Sequence, residues 1–251
     1  MSLISISELG NIDWQLPEST PALMQYDAQV WRVRVPETGV RTERDLNILN
    51  AAEREQTLRF VQQEDAQRYL VAHSALRRLL SSHTGIGAHQ LTFTKNEFGK
   101  PALAPHHNAV NMHFNLSHSG QYVIIGLSRF PVGVDIEVVK SDFDFRNLLP
   151  HYFTTAEAQS IINAVSQTDE FFRAWTRKEA LGKGLGIGIT ENMQKLPSLV
   201  GIDKSNELLF INGWKIQTFG TGDGHVVSAA VSSEIKEIKF LDFIQAPSLS
   251  I

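Results

Sequence analysis

The succession of helical and strand patterns predicts an α+β fold made of two similar halves related by a pseudo-two-fold, each a mainly antiparallel sheet packed with helices. Each half shows a strand, two helices and then consecutive strands joined by short turns, which is typical of antiparallel sheets. The segment Arg129-Phe130-Pro131 interrupts the pattern midway, so we place the halves at residues 1–128 and 129–251. Because ligands commonly bind between such halves, we expect the active site at their interface.

The first half is predicted to contain one strand, two helices and a hairpin. The strand covers 28–35, and a helix runs from Thr42 to about residue 61, with Asp45 in its first turn. A second helix is predicted over 64–83 and ends at Gly85, because glycine is common just after the last turn of a helix. In the hairpin, Met112, Phe114 and Leu116 alternate with polar residues, Ser117-His118-Ser119-Gly120 form the turn, and residues 122–127 return.

The second half opens with a strand that carries two acids. Val132, Val134, Ile136 and Val138 fall on one face, and Asp135 and Glu137 fall together on the other. Helices are predicted near 154–165 and 169–185, followed by strands near 208–219, 225–232 and 237–243.

Composition limits the possible functions. The 251 residues include no cysteine, which excludes disulfides, thiolate nucleophiles and cysteine-based zinc sites. The net charge of −4 provides no global basic field, so we expect no nucleic-acid partner. The N-terminus lacks the basic and apolar regions of a secretory signal, and no apolar stretch is long enough to cross a bilayer, so we expect a cytoplasmic protein without a membrane partner.

A second acidic motif lies on the helix near 169–185. Phe171, Trp175, Glu179 and Lys183 recur at four-residue spacing, so a carboxylate and an ammonium lie in line with an apolar stripe. Together with Asp135 and Glu137, Glu179 predicts a magnesium site that acts on a phosphate ester. The alternatives are that the acids lie on solvated faces and that Glu179 and Lys183 form an ordinary helix ion pair.

Five ordered sequence blocks carry a resemblance to a known family. They cover residues from about 54 to 184, and in chain order they are Glu64-Asp65-Ala66-Gln67-Arg68, Asn96-Glu97-Phe98-Gly99-Lys100-Pro101, Phe114-Asn115-Leu116-Ser117-His118-Ser119, Gly133-Val134-Asp135-Ile136-Glu137 and Trp175-Thr176-Arg177-Lys178-Glu179-Ala180-Leu181-Gly182-Lys183. These blocks resemble the 4′-phosphopantetheinyl transferases of the longer, two-halved, surfactin-synthetase-activating type.

The resemblance implies a reaction and its partners. With Mg²⁺ as cofactor, such enzymes transfer the 4′-phosphopantetheine of coenzyme A to a serine of an apo acyl or peptidyl carrier protein, and they release adenosine 3′,5′-bisphosphate. These carriers serve fatty-acid, polyketide and nonribosomal-peptide synthesis. Because both halves belong to one chain, we expect a monomer.

The site residues follow from the matching positions. Asp135, Glu137 and Glu179 are the expected metal ligands, with Glu137 able to act through water. Arg68, Lys100, Ser117 and His118 are expected to contact the phosphates of coenzyme A. Lys183 is expected to neutralise the pyrophosphate, and Glu179 is the candidate general base, acting directly or through a water. The expected catalytic residues are therefore Asp135, Glu179 and Lys183.

Other assignments stay open at this level. Lys178 is predicted to have a supporting or surface role because it points about 100° away from Glu179. Arg173 and Arg177 are candidates for contact with an acidic carrier helix. A magnesium-dependent phosphodiesterase or nuclease would use the same acids with water as the nucleophile. A non-catalytic coenzyme A-binding regulator is the second alternative.

Overall fold

The computed structural model describes residues 4–36, 43–187, 193–203 and 213–243. Its helices are Glu43–Ile48 (α1), Ala51–Arg59 (α2), Gln63–Thr84 (α3), Leu149–Tyr152 (α4), Thr155–Asn163 (α5) and Gln167–Leu185 (α6). Its strands are Ile4–Asn11 (β1), Asp27–Arg34 (β2), Phe93–Lys95 (β3), Pro101–Leu103 (β4), His113–Ser119 (β5), Tyr122–Ser128 (β6), Val132–Val138 (β7), Gly201–Asp203 (β8), Trp214–Gly220 (β9), His225–Ser232 (β10) and Glu237–Phe243 (β11). The predicted α+β class is confirmed.

Two mixed sheets share the same pairing pattern. One has the order β11-β2-β6-β5 and the other the order β7-β10-β9-β1-β8, while β3 and β4 form a separate hairpin. In each sheet a parallel pair (β11 with β2, or β1 with β9) is followed by two antiparallel pairs. The repeated pattern agrees with the predicted pseudo-two-fold.

Each end of the chain contributes a strand to the sheet of the opposite half. The N-terminal strand β1 pairs with β8 and β9, and the C-terminal strand β11 pairs with β2. The division at residues 128 and 129 stays a prediction, but the sheets do not follow it at either end of the chain.

The core has four layers in the order helix, sheet, sheet, helix. α3 packs on one face of the four-stranded sheet through residues such as Leu76 and Leu79, which contact Trp31 and its neighbours. The inner faces of the two sheets pack against each other, and α6 covers the outer face of the five-stranded sheet. No helix within the described ranges is long and apolar enough to cross a membrane.

Most predicted elements are present, with two corrections in the first half; residues 208–212 of the strand predicted near 208–219 lie outside the described residues. The single helix predicted from residue 42 is two helices, because Asn50 caps α2 in a reciprocal capping box with Glu53; Thr42 lies outside the described residues. The hairpin turn lies at Gly120 and Gln121, so Ser117 and His118 belong to β5 rather than to the turn.

Candidate active site

A cleft between the two halves collects most of the predicted site residues. β5 supplies one wall, β7 the floor and α6 the other wall. The lining residues are Leu116, Ser117, His118, Asp135, Glu137, Trp175, Glu179 and Lys183. The alternation of β7 and the four-residue spacing of α6 therefore bring both acidic motifs to one place.

Asp135 is the most enclosed acid of the cleft, at 3% exposed. Its Oδ1 accepts hydrogen bonds from Lys183 Nζ at 2.6 Å and from Ser117 Oγ at 2.8 Å. Burial raises the pKa of Asp135, and Lys183 and Ser117 oppose that rise. Its Oδ2 is buried and has no hydrogen-bond partner among the described residues, which leaves one carboxylate oxygen for a ligand.

Glu179 and Glu137 add two further acids. Burial, and then the charges of Asp135 and Glu137, raise the pKa of Glu179 to about 7, although Lys183 lowers it. Glu137 accepts a hydrogen bond from Ser119 Oγ at 3.0 Å, and burial and Asp135 raise its pKa. These like charges repel one another, and a divalent cation would relieve that repulsion.

The acids fit a magnesium ion, but not as a finished three-ligand cage. Within the described part of the chain, no three His, Cys, Asp or Glu side chains are close enough together to hold an ion by themselves. The free Asp135 Oδ2 and the neighbouring Glu179 suit Mg²⁺, because this ion usually keeps waters and takes substrate phosphate oxygens as ligands. Glu137 accepts a hydrogen bond from Ser119 and is the least buried of the three candidates.

Cationic groups border the same cleft. Lys183 also donates to Ser117 Oγ at 3.0 Å, so Ser117 links the acid on β7 to the base on α6. Arg68 donates to the carbonyl of Gly120 at 3.3 Å and pairs with Asp65 at 2.6 Å, which places it beside the end of β5. Partial desolvation, followed by the charges of Arg68 and Lys183, lowers the pKa of the His118 imidazole. Arg68 and Lys183 therefore form a positive rim suited to phosphates, and the lowered pKa makes His118 a hydrogen-bonding ring instead of a third charge.

Lys100, unlike the predicted phosphate contacts Ser117 and His118, does not line this cleft. It lines a neighbouring cleft with Asn96, His113 and Gly186. Its ammonium donates to the carbonyls of Gly184 at 2.8 Å and Val132 at 3.3 Å.

Two residues that were not predicted as functional hold β7 in place. β7 is one of the two edge strands of its sheet, and polar side chains of β5 accept hydrogen bonds from the backbone of β7 along that edge. Asn115 Oδ1 accepts from Val134 N at 2.9 Å, and Ser119 Oγ accepts from Val138 N at 3.1 Å. The polar alternation Asn115, Ser117, Ser119 was visible in the sequence and could have indicated this role.

Two assignments on α6 need correction. Arg177 is fully buried and binds Thr218, Ser198 and Glu8, so it is unable to meet a carrier protein at the surface. Lys178 is also fully buried, and its ammonium pairs with Glu157 at 2.9 Å. The surface role considered for Lys178 is therefore wrong, and Glu157, which caps α5, is structural within this network.

Comparisons with known proteins point to one family. Residues 38–129 match the model described as 4′-phosphopantetheinyl transferase, N-terminal, and residues 131–228 match that of the 4′-phosphopantetheinyl transferase superfamily. Together the two matches include every residue of the cleft.

Similar individual proteins carry the same name. The 4′-phosphopantetheinyl transferase ffp of Bacillus subtilis is 31% identical over 151 residues, which is 59% of this chain and 65% of the relative. The 4′-phosphopantetheinyl transferase Sfp of Bacillus subtilis (strain 168) is 30% identical over 150 residues, with the same shares of 59% and 65%. The 4′-phosphopantetheinyl transferase HetI of Nostoc sp. is 24% identical over 213 residues, which is 84% of this chain and 90% of the relative.

The alignments with the Bacillus proteins thus span just under two thirds of those relatives. The two family matches lie end to end along the chain and meet at the join between β6 and β7, where the cleft is built. By both matches the chain belongs to the 4′-phosphopantetheinyl transferase superfamily.

Proposed function

We propose that this chain transfers the 4′-phosphopantetheine of coenzyme A to a serine hydroxyl of an apo acyl or peptidyl carrier protein. The observation that carries the proposal is the meeting of three acids and a positive rim in one cleft between the halves. An enzyme that acts on a pyrophosphate ester needs both features, because the cations offset the charge of the phosphates and the carboxylates bind the metal that family members typically use. The names of the similar proteins support the same reaction.

The reaction forms a bond between the serine oxygen and the phosphorus that bears the pantetheine. It breaks the bond between that phosphorus and the bridging pyrophosphate oxygen, so adenosine 3′,5′-bisphosphate leaves. Bound Mg²⁺, held by Asp135 and Glu179 with Glu137 directly or through water, would neutralise the pyrophosphate.

The chain's own residues have the remaining roles. Arg68, His118 and Lys183 bind the phosphates of coenzyme A, and Lys183 offsets charge on the leaving group. Ser117 orients Asp135 through their hydrogen bond, and its own place in the cleft allows a phosphate contact. Glu179 faces the cleft and has no hydrogen-bond donor among the described residues, so it is free to accept the serine proton directly or through a water.

Both walls of the cleft come from one chain, so the proposed enzyme needs no second copy. We propose a cytoplasmic monomer whose partners are coenzyme A and the apo carrier protein. Acidic carriers would meet the positive rim of the cleft.

Intact mass spectrometry of a carrier protein tests the proposal. Mixed with coenzyme A, Mg²⁺ and the wild-type protein, an apo carrier should gain one phosphopantetheine, and a carrier whose serine is replaced by alanine should gain none. Asp135→Asn and Glu179→Gln keep side-chain shape but remove charge, and each should lower kcat/KM by about 100-fold or more.

Two results would contradict the transferase. Release of phosphopantetheine without any acceptor protein would indicate a phosphodiesterase. Tight coenzyme A binding with no turnover on any apo carrier would indicate a regulator.

A further inference from the structure

The turn between β3 and β4 holds the C-terminal end of α6 from the other half of the molecule. Asn96 Nδ2 donates to the carbonyl of Gly186 at 2.8 Å, and Lys100 Nζ donates to the carbonyl of Gly184 at 2.8 Å. The last carbonyls of a helix lack partners within the helix and carry its negative dipole end, so an amide and an ammonium suit them. The turn therefore acts as a C-terminal cap supplied across the interface.

The same ammonium also contacts β7. Lys100 Nζ donates to the carbonyl of Val132 at 3.3 Å, and within the described residues it has no carboxylate partner. One positive charge thus joins the start of β7 to the end of α6. Burial without a counter-charge lowers the pKa of Lys100 to about 8, which agrees with an ammonium enclosed by carbonyls rather than open to solvent.

The contacts of Lys100 lie beside a point where α6 crosses β7 at very short distance. A Cβ at Gly133 would collide with the backbone of Ala180 and Gly184, so helix and strand touch backbone to backbone there. Val132 and Gly184, the two acceptors of Lys100, border this crossing. A small change of the crossing would move Glu179 and Lys183 on α6 relative to Asp135 on β7, and misplacement by about 1 Å can cost a reaction about 100-fold.

We propose that Lys100 is a positioning residue, which fixes α6 on β7 so that Glu179, Lys183 and Asp135 keep their relative places, instead of a phosphate ligand of coenzyme A. The role rests on the proposed transferase function and differs from the phosphate contact that the family resemblance implies. Asn96 supports the same crossing through Gly186.

The two roles predict different kinetics. Lys100→Met keeps a side chain of similar length and removes the ammonium. For a positioning residue, kcat falls by about 10- to 100-fold while KM for coenzyme A changes less than about twofold. The loss of kcat should be equal whether the substrate is coenzyme A or 3′-dephospho-coenzyme A. A rise in KM with unchanged kcat, or a loss confined to coenzyme A, would overturn the proposal and restore the phosphate contact.

Two further variants separate this effect from general damage. Lys95→Met removes an exposed lysine of the same hairpin and should leave both constants within about twofold of wild type. Asn96→Asp keeps the Oδ1 atom, which accepts hydrogen bonds from the backbone NH groups of Phe98 and Lys100 and so organises the turn. The variant loses the Nδ2 group that donates to the carbonyl of Gly186. It should reproduce the kcat loss of Lys100→Met in weaker form; an unchanged kcat in this folded variant would count against the crossing as the cause.

Amide hydrogen exchange gives a readout that needs no substrate. In Lys100→Met, residues 181–186 should exchange faster than in the wild type and in Lys95→Met, because their helix end has lost its cap. Unchanged protection would overturn the positioning role. Absence of transfer by the wild-type protein would instead overturn the proposed function, so the two failures are distinguishable.

Discussion

At the scale of single residues, the cleft holds more negative charge than its own cations neutralise. Lys183 is bonded to Asp135, while Glu179 has a pKa raised to about 7 and Glu137 has a raised pKa as well. A carboxyl with a raised pKa binds a proton in the folded protein that the unfolded chain has already lost. The free energy of unfolding therefore falls as the pH rises from the ordinary value of 4.5 to about 7.

Glu179→Gln should remove this pH-dependent loss of stability. In magnesium-free buffer at pH 8, the variant should have a free energy of unfolding about 2 kcal/mol above that of the wild type, because it buries no charge beside Asp135. At pH 4, where the wild-type side chain is protonated in both states, the difference should nearly vanish. Urea unfolding at the two pH values measures the effect.

An exposed acid is the control for that measurement. Glu234→Gln replaces an exposed carboxylate outside the cleft and should change stability by less than about 0.5 kcal/mol at either pH. A gain for Glu179→Gln that is equal at pH 4 and pH 8 would contradict the electrostatic explanation. Added Mg²⁺ should also stabilise the wild type more than the variant, because the variant has lost a charged ligand.

At the scale of elements, the faces of α6 have different roles: one lines the cleft and another is buried against the rest of the protein. The face with Glu179 and Lys183 lines the cleft, whereas Arg177 and Lys178 are buried among other elements. Arg177 donates from Nε to Thr218 Oγ1 at 3.0 Å and from a terminal nitrogen to the Ser198 carbonyl at 2.8 Å, and it pairs with Glu8 of β1. It therefore ties the helix to β1, β9 and the segment before β8.

Arg177→Met should destabilise the protein by about 3 kcal/mol, since it leaves buried polar groups without their donor. Arg173 lies one turn earlier on α6, contacts the same Glu8 at 3.6 Å and is partly exposed. Arg173→Met should cost less than about 1 kcal/mol, as is usual for exposed ion pairs. Thermal unfolding of both variants checks the contrast, and losses of equal size would mean that burial does not determine the role of Arg177.

The sequence predicted α6 well and its surroundings poorly. The four-residue spacing of apolar residues predicts the helix and places Glu179 in line with the apolar stripe of that helix, and both predictions agree with the structure. It does not report that the segment at 193–198 covers a second side of the helix and accepts hydrogen bonds from Lys178. The buried lysine and arginine looked like surface residues because a local pattern contains no information on distant contacts.

At the scale of the whole molecule, the same limit explains the missed strand β1. Its eight residues pair with strands near the other end of the chain, and the only local signal of a strand is the short alternation Ile4-Ser5-Ile6-Ser7. The pairing of the last strand was missed for the same reason: β11 was predicted as a strand, but not as a partner of β2. Asp242 of β11 forms two hydrogen bonds with Arg32 of β2, at 2.7 and 2.9 Å, across this long-range pair.

The exchange of terminal strands should make the two sheets unfold together. Each sheet contains one strand from the opposite half of the chain, so the unfolding of one sheet also releases a strand of the other half. The inner faces of both sheets share one apolar layer. We expect a single urea transition at which two reporters coincide: Trp31 in β2 and Trp214 in β9, each studied in a variant whose other tryptophans are replaced by phenylalanine.

Deleting residues 237–251 removes β11 and should lower the midpoint seen by Trp31 and also that seen by Trp214, because the inner layer is shared. Two separate transitions in the full-length protein would show that each half is stable without the strand it receives, and the cleft between them would then be a junction of independent domains.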